Sequence, residues 1–532
     1  MPGRRTAFLG GKVWTAGYGA PRRLDVLVDD GRIVQVGRSG EVDASGARLV
    51  DTTGRLLLPG LQDAHLHPGL GGADLLTCDL ADCTTSERVL ERIRSYAATL
   101  ARDAWVAGGG WDRALFPRGG PTRQQLDEVT GGRPAWMRSY DCHGVWVSSE
   151  ALRIAGVDAT TVDPEHGYVV RDPGGNPTGL LEEDATALVR RHLPPETTES
   201  QKRSILRAQE HLVALGVTSV QDAIVGGGLG MPDQLPAYRD LLSDRRLTCR
   251  LTAALWWDPT RGLDQLDDLR AQRQSLEACA DPAWVVADTV KLMVDGSHTV
   301  FLDQEVIREA TVALDARGLT CHYHSYGELA TRWVLDAVAE ARAVNGIAGG
   351  RHHIAHLMVI AEDDFARFAP LDVTANVQAA WGCSAVAHSI MQLTTCSDDP
   401  ERREYAFGRL LAAGARLAAG SDWPVTTADP LEAIRLECGR GRERTPAGAV
   451  GDPDELDRLD LGALLTAYTT GSAHVNGRAS TTGRIAPGFL ADLALLDRDP
   501  FADEESLREV AVAQTWVDGR CVHDADTEHP TA

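Results

Sequence analysis

The sequence predicts an α/β protein: a TIM-type (β/α)8 barrel with an inserted subdomain after strand 1 and a small β-sandwich domain built from both termini. Three observations predict it. Eight short apolar, β-branched runs alternate with stretches of helical character, the signature of β/α units around a parallel sheet. The interval between the first two runs is far too long for a βα loop. Short-strand patterning recurs at both ends of the chain.

At 532 residues the chain exceeds the ~250–300 at which a single hydrophobic core stops growing. The boundaries read as 1–58 for the N-terminal half of the β domain, 59–478 for the barrel and 479–523 for the returning β half. The insertion spans about 70–215, and the polar tail 524–532 is expected to lack order.

In order, residues 6–14, 24–29 and 32–37 read as short antiparallel strands, with Asp29-Asp30-Gly31 turning between the last two. Leu56–Leu61 leads into Asp63-Ala64-His65-Leu66-His67, the first barrel strand. The other seven runs are Val217–Asp222, Arg250–Trp257, Thr289–Asp295, Leu319–Ser325, His352–Leu357, Val373–Gln378 and Leu417–Asp422. Helices are expected at Pro236–Arg246, Asp264–Ala280, Gln304–Arg317 and Glu328–Ala343. In the last, Leu329, Trp333, Val334, Ala337, Val338 and Ala341 fall at helical spacing and form a predicted buried stripe. Pro487-Gly488 and Asp518-Gly519 punctuate the C-terminal strands.

The composition, 43% hydrophobic and 24% charged, is that of a globular protein. A net charge of −23 repels phosphate backbones and anionic lipid heads, which argues against nucleic-acid and membrane partners. The ten cysteines are scattered without a CxxC pair, so reduced thiols are expected. Neither a signal-peptide core nor a run of about 20 apolar residues is evident. The expectation is a soluble cytoplasmic protein acting on a small molecule, with a homodimer left open.

Catalytic groups of a (β/α)8 barrel sit at the C-terminal ends of its strands. Here those ends carry His65 and His67, Asp222, Lys291, His324, His356, Gln378 and Asp422. The two imidazoles of His65-Leu66-His67 lie at i and i+2 and point the same way on an extended strand. Imidazole with carboxylate suits Zn, Mn, Fe or Ni better than Ca or Mg. Lys291, in the apolar run Val290–Val294, is expensive to bury as an ammonium and must be paired, neutral or modified.

These features resemble the amidohydrolase superfamily, and specifically its YtcJ-like branch (amidohydrolase family 3), which includes N-substituted formamide deformylases. The resemblance spans nearly the whole chain. It is carried by Pro59–His67, Gly110-Trp111-Asp112, Val147–Leu152, Gly175–Glu182, Gly216–Asp222, Val290-Lys291-Leu292 with Asp295-Gly296-Ser297, and Gly420–Val425. Gly483-Arg484-Ile485 and Gly488–Leu493 match the returning β-domain strand.

The resemblance implies two divalent transition metal ions, zinc by expectation. His65, His67 and Asp422 would hold one, His324 and His356 the other, with Lys291 bridging both as an N6-carboxylated side chain. Two such ions about 3.5–4 Å apart share a hydroxide and polarise a scissile carbonyl. Asp422 would take the proton of the attacking water and pass it to the leaving nitrogen, with Lys291 and His143 completing the catalytic set. The implied reaction is hydrolysis of a non-peptide C–N bond in a small, partly apolar molecule. A cyclic amide or ester hydrolase, or a non-catalytic ligand-binding or regulatory protein, are the alternatives.

Ser325-Tyr326-Gly327-Glu328 replaces the branch's usual Ala-x-Gly-Asp, Ala355 stands where glutamate is common, and the connection from Ser297 to Glu305 is short. These departures bear on the pocket rather than on the ligands. Trp111, Asp222, His322, Trp381 and Trp423 are candidate substrate contacts, and each has a bland alternative as a core or structural residue. The tryptophans as a group suggest an apolar or aromatic substrate portion.

Overall fold

The computed structural model describes residues 5–117, 120–140, 144–164, 167–229, 231–296, 301–346, 350–383, 403–440 and 455–528. The chain divides into two compact units, Pro68–Ala208 and the remainder.

In the larger unit eight parallel strands follow one another in sheet order: β1 (Leu61–Leu66), β2 (Val217–Val225), β3 (Arg250–Trp256), β4 (Val285–Met293), β5 (Thr320–Ser325), β6 (His353–His356), β7 (Thr374–Val377) and β8 (Arg416–Ala419). The edge strands come together where Asp422 donates its backbone N–H to His65 O at 2.7 Å and His67 donates to Trp423 O at 2.9 Å. This is the nearly closed barrel of a TIM fold. Gly420 makes that approach possible, since a Cβ there would lie 2.7 Å from the His65 backbone nitrogen.

Helices Leu235–Ser243, Leu266–Glu277, Gln304–Asp315 and Glu328–Asn345 alternate with the strands. In the last helix the buried face runs through Ala330, Val334, Leu335, Ala337, Val338 and Ala341. Leu329 is instead 48% exposed and Trp333 half-buried, so the stripe is rotated from its predicted position. The helix begins at Glu328, and its first turn orients Leu329 away from the sheet.

Strands from the two ends of the chain share a six-stranded sheet, in which Leu56–Pro59 pairs antiparallel with Leu493–Leu496. A second sheet joins Thr6–Leu9, Asp25–Asp29, Arg32–Gly37 and Arg48–Asp51. Phe8, Val28, Ile33, Leu57, Leu493 and Trp516 form the core between them. The single strand expected over 6–14 is broken into Thr6–Leu9 and Lys12–Val13, which belong to different sheets. Gly10, at φ 86°, turns the chain from one to the other. Of the tail 524–532 expected to lack order, Ala525–Glu528 form a helical turn tied by Asp526 to Arg55 at 2.8 Å, and 529–532 lie outside the described residues.

The unit Pro68–Ala208 has its own six-stranded sheet and a core that includes Trp111. No helix among the described residues is long and apolar enough to cross a membrane.

Candidate metal centre

Sheet register sets the site. Met293 aligns with His324 and Ser325 with His356, so residues distant in sequence end at one level of the barrel. There Asp422 Oδ1 lies 3.3 Å from His65 Nε2 and 3.2 Å from His67 Nε2. His65, His356 and Asp422 offer ligand atoms all within 4.8 Å of one another. The His324 and His356 rings stand 4.4 Å apart, and those of His65 and His356 4.8 Å.

The donor set fits a divalent transition metal. It is N/O in character, with His65, His356 and Asp422 each bringing one donor atom into a single cluster. Burial drives His65 down to about 3 and His356 well below its ordinary range, so both are neutral and able to donate lone pairs. For Asp422 burial opposes ionisation, yet His65 and His67 beside it hold the carboxyl well below the usual carboxylate range. Burial lowers Lys291, 1% exposed, to about 7, which makes a neutral amine accessible near neutral pH.

Four residues outside the candidate ligands and substrate contacts brace this arrangement, of which the sequence places Gln378 at a strand end. Asp63, two before His65 on the same strand face, accepts the backbone N–H groups of His65 at 3.0 Å and of Ser421 at 3.1 Å. It thereby joins the two strands that carry His65 and Asp422. Asp295 stands 3.1 Å from His324 Nδ1 and accepts the N–H groups of Tyr326 and Gly327. Gln378 accepts the His356 N–H at 2.7 Å. The Tyr326 ring packs 4.2 Å from His324 and 5.0 Å from His356. His356 and Asp422 both have positive φ, 78° and 59°, conformations that persist only where surrounding contacts enforce them. The i−2 spacing of Asp63 is a sequence signal; the partners of Asp295 and Gln378 depend on loop closure and leave none.

The substrate-contact candidates separate. Trp381, 1% exposed, lies 4.9 Å from His356 and 5.8 Å from Tyr326, beside the ligand cluster. The Trp423 ring lies 5.4 Å from that of His211, tilted by 32°. Trp111 is fully buried in the core of its own unit, between Phe116 and Trp146, and its indole N–H is spent on Met137 O. The Asp222 carboxylate accepts the Tyr238 hydroxyl at 2.7 Å and the Ile224 N–H, and burial raises it to about 6. His322 is fully buried, with Nε2 2.9 Å from His65 Nδ1, and so backs a candidate ligand rather than facing substrate. His143 lies outside the described residues.

These buried imidazoles predict acid sensitivity. His65 and His353, both lowered to about 3 chiefly by burial, stay neutral in the folded chain while the unfolded chain titrates near 6.5. As pH falls from about 6.5 toward 3 the unfolded state binds protons that the folded state refuses, so stability drops over that window. Burial likewise lowers His322, His324, His352 and His356. Asp63 and Asp222, raised to about 7 and about 6, act in the opposite sense, with stability lost as pH rises through those values. The histidines outnumber them. The metal-free protein is expected to melt at a lower temperature at pH 5 than at pH 7; calorimetry showing no decrease would contradict this.

Known proteins share the fold and the family. Residues 48–523 match the amidohydrolase family. The chain is 28% identical to the N-substituted formamide deformylase of Arthrobacter pascens, over 93% of this chain and 94% of the relative. It is 25% identical to the putative amidohydrolase YtcJ of Bacillus subtilis, over 97% and 98%. It is also 27% identical to Protein LONG AFTER FAR-RED 3 of Arabidopsis thaliana, over 96% and 90%. Among solved structures, an uncharacterized metal-dependent hydrolase from Pyrococcus horikoshii shares the fold with a TM-score of 0.69 at 24% identity, covering 94% of this chain and 99% of that one. The zinc complex of atrazine chlorohydrolase TrzN from Arthrobacter aurescens shares it at 0.55 and 17%, covering 98% and 95%. With nearly the whole chain matched, and the matched region containing every candidate ligand, this protein belongs to the amidohydrolase family.

Proposed function

We propose that this protein is a metal-dependent hydrolase of a non-peptide C–N bond, a linear amide or N-substituted formamide, in a small and partly apolar molecule. The observation that carries the reading is the meeting of His65, His356 and Asp422 within 4.8 Å, with His67 against Asp422 and His324 against His356; the buried Lys291 supports it. The formamide deformylase relative supports the bond class, and the zinc in TrzN supports the choice of metal.

His65, His67 and Asp422 would hold one divalent cation and His324 and His356 a second, with Lys291, as an N6-carboxylate, serving both. Cations bound in such a set lower the pKa of water and polarise a carbonyl. Asp422, ionised and 3.2–3.3 Å from two imidazoles, is the base that takes the proton of the attacking water and returns it to the leaving nitrogen. A neutral Lys291 is the form that condenses with CO2, and burial favours it. Tyr326 and Trp381 form an aromatic wall against His324 and His356, matching an apolar substituent on the substrate.

The test joins metal analysis to a substrate screen. About two equivalents of transition metal per chain are expected, with hydrolysis of N-substituted formamides ahead of hydantoins and aryl esters, and loss of turnover on chelation. Absence of metal together with chelator-insensitive hydrolysis would refute the proposal. A metal-replete preparation that binds small molecules and turns over none would favour a non-catalytic role.

A further inference from the structure

We propose that His322 is a positioning residue that holds His65 in the single tautomer a bound cation requires. The inference rests on the metal-centre reading above.

The two ring nitrogens of His65 have different neighbours. Nε2 faces Asp422 Oδ1 at 3.3 Å, whereas Nδ1 meets His322 Nε2 at 2.9 Å, the rings standing edge to face with centroids 4.7 Å apart. A neutral imidazole carries one N–H. If the Nε2 lone pair goes to a cation, the proton must sit on Nδ1, where it needs an acceptor. His322 Nε2 is that acceptor, and the contact obliges His322 to keep its own proton on Nδ1, which is buried with no hydrogen-bond partner among the described residues, so the pairing with His65 alone selects this tautomer.

The acceptor is itself held in place from behind. His322 is fully buried, and its ring lies 4.5 Å from that of His353, tilted by 42°. His353 is fixed by Arg351 O, 3.0 Å from its Nδ1, and by the Gln221 amide, 2.9 Å from its Nε2. The Gln221 side chain also meets that of Asn476 at 3.3 Å. Strands β5, β6 and β2 thus contribute to one polar stack inside the barrel, where aliphatic side chains usually fill the space. An ordinary filler has no need of this chain of oriented groups.

Metal-bound histidines usually pass their second N–H to a carboxylate, a backbone carbonyl or water. His324 follows that pattern through Asp295. His65 is backed instead by a neutral imidazole, which sets ring direction and tautomer without adding negative charge near Asp422. The two halves of the ligand set are therefore braced by chemically different partners.

Zn2+ titration of the metal-free protein tests this. Wild type and His322→Gln, which retains an acceptor near the Nε2 position, are expected to bind the first equivalent comparably. His322→Leu is expected to bind it about 10–100-fold more weakly. In 15N-imidazole-labelled wild type with Zn2+, long-range 1H–15N correlations should place the proton of His65 on Nδ1 and that of His322 on Nδ1. Equal affinity in a folded His322→Leu variant, or a His322 proton on Nε2 in the wild type, overturns the proposal. The wild-type spectrum settles it even if the leucine variant does not fold. Wild type that takes up no Zn2+ overturns the metal-centre reading as well, so the two failures are distinguishable.

Discussion

Asp422→Asn is expected to lower kcat/KM by about 10³-fold, roughly 4 kcal/mol of transition-state stabilisation, while leaving the fold intact. The substitution changes little volume but removes the charge that faces His65 and His67 at 3.3 and 3.2 Å. It also places an amide where a proton acceptor is needed. Because Asp422 is a proposed ligand and a proposed base, metal content must be measured alongside rate. If excess Zn2+ fills the variant and activity returns to within tenfold of wild type, Asp422 acts through binding alone and the base assignment is wrong. Unchanged melting with a persistent thousandfold deficit is the result that supports it.

The largest effect on stability is expected at Asp492. Its carboxylate takes two hydrogen bonds from Arg250, at 2.5 and 2.8 Å, and one from the Asp518 N–H at 2.9 Å. Both charged side chains are buried, at 0% and 2% exposure. Replacing the pair with apolar residues of matched shape is often neutral, but removing one partner strands the other as a buried charge. Asp492→Ala should therefore cost about 3–5 kcal/mol. The Arg250 guanidinium keeps the Ala283 carbonyl at 3.0 Å, the Trp284 ring 4.7 Å away and an Asp518 carboxylate at 3.7 Å, none of which replaces the paired charge. Denaturant unfolding gives the value; a loss below about 1 kcal/mol would mean that water reaches Arg250 and that the pair is not the clasp between β3 and the C-terminal strands.

The eight barrel strands were legible because a buried parallel strand leaves a short apolar run, and because catalytic barrels carry polar groups at strand ends. The same periodicity placed His65 and His67 on one face. It misled where burial depends on more than spacing. Leu329 fits the helical stripe by phase, but it sits in the first turn and is exposed. Trp111 lies in a motif shared with the family, yet its indole is consumed by packing and by Met137 O. Asp222 occupies a strand end, like the ligands, but Tyr238 from the following helix captures its carboxylate.

Local sequence thus carried the class of fold, the identities of the polar residues at the strand ends and the family to which the chain belongs, since all three depend on residue type and short-range order. Tertiary structure alone decided which of those groups meet. The contacts of His322 with His65, Asp63 with Ser421 and Asp295 with His324 join strands or loops brought together by register and barrel closure. A period of two tells which face a side chain occupies; it carries no information about what stands opposite once a sheet curls back on itself.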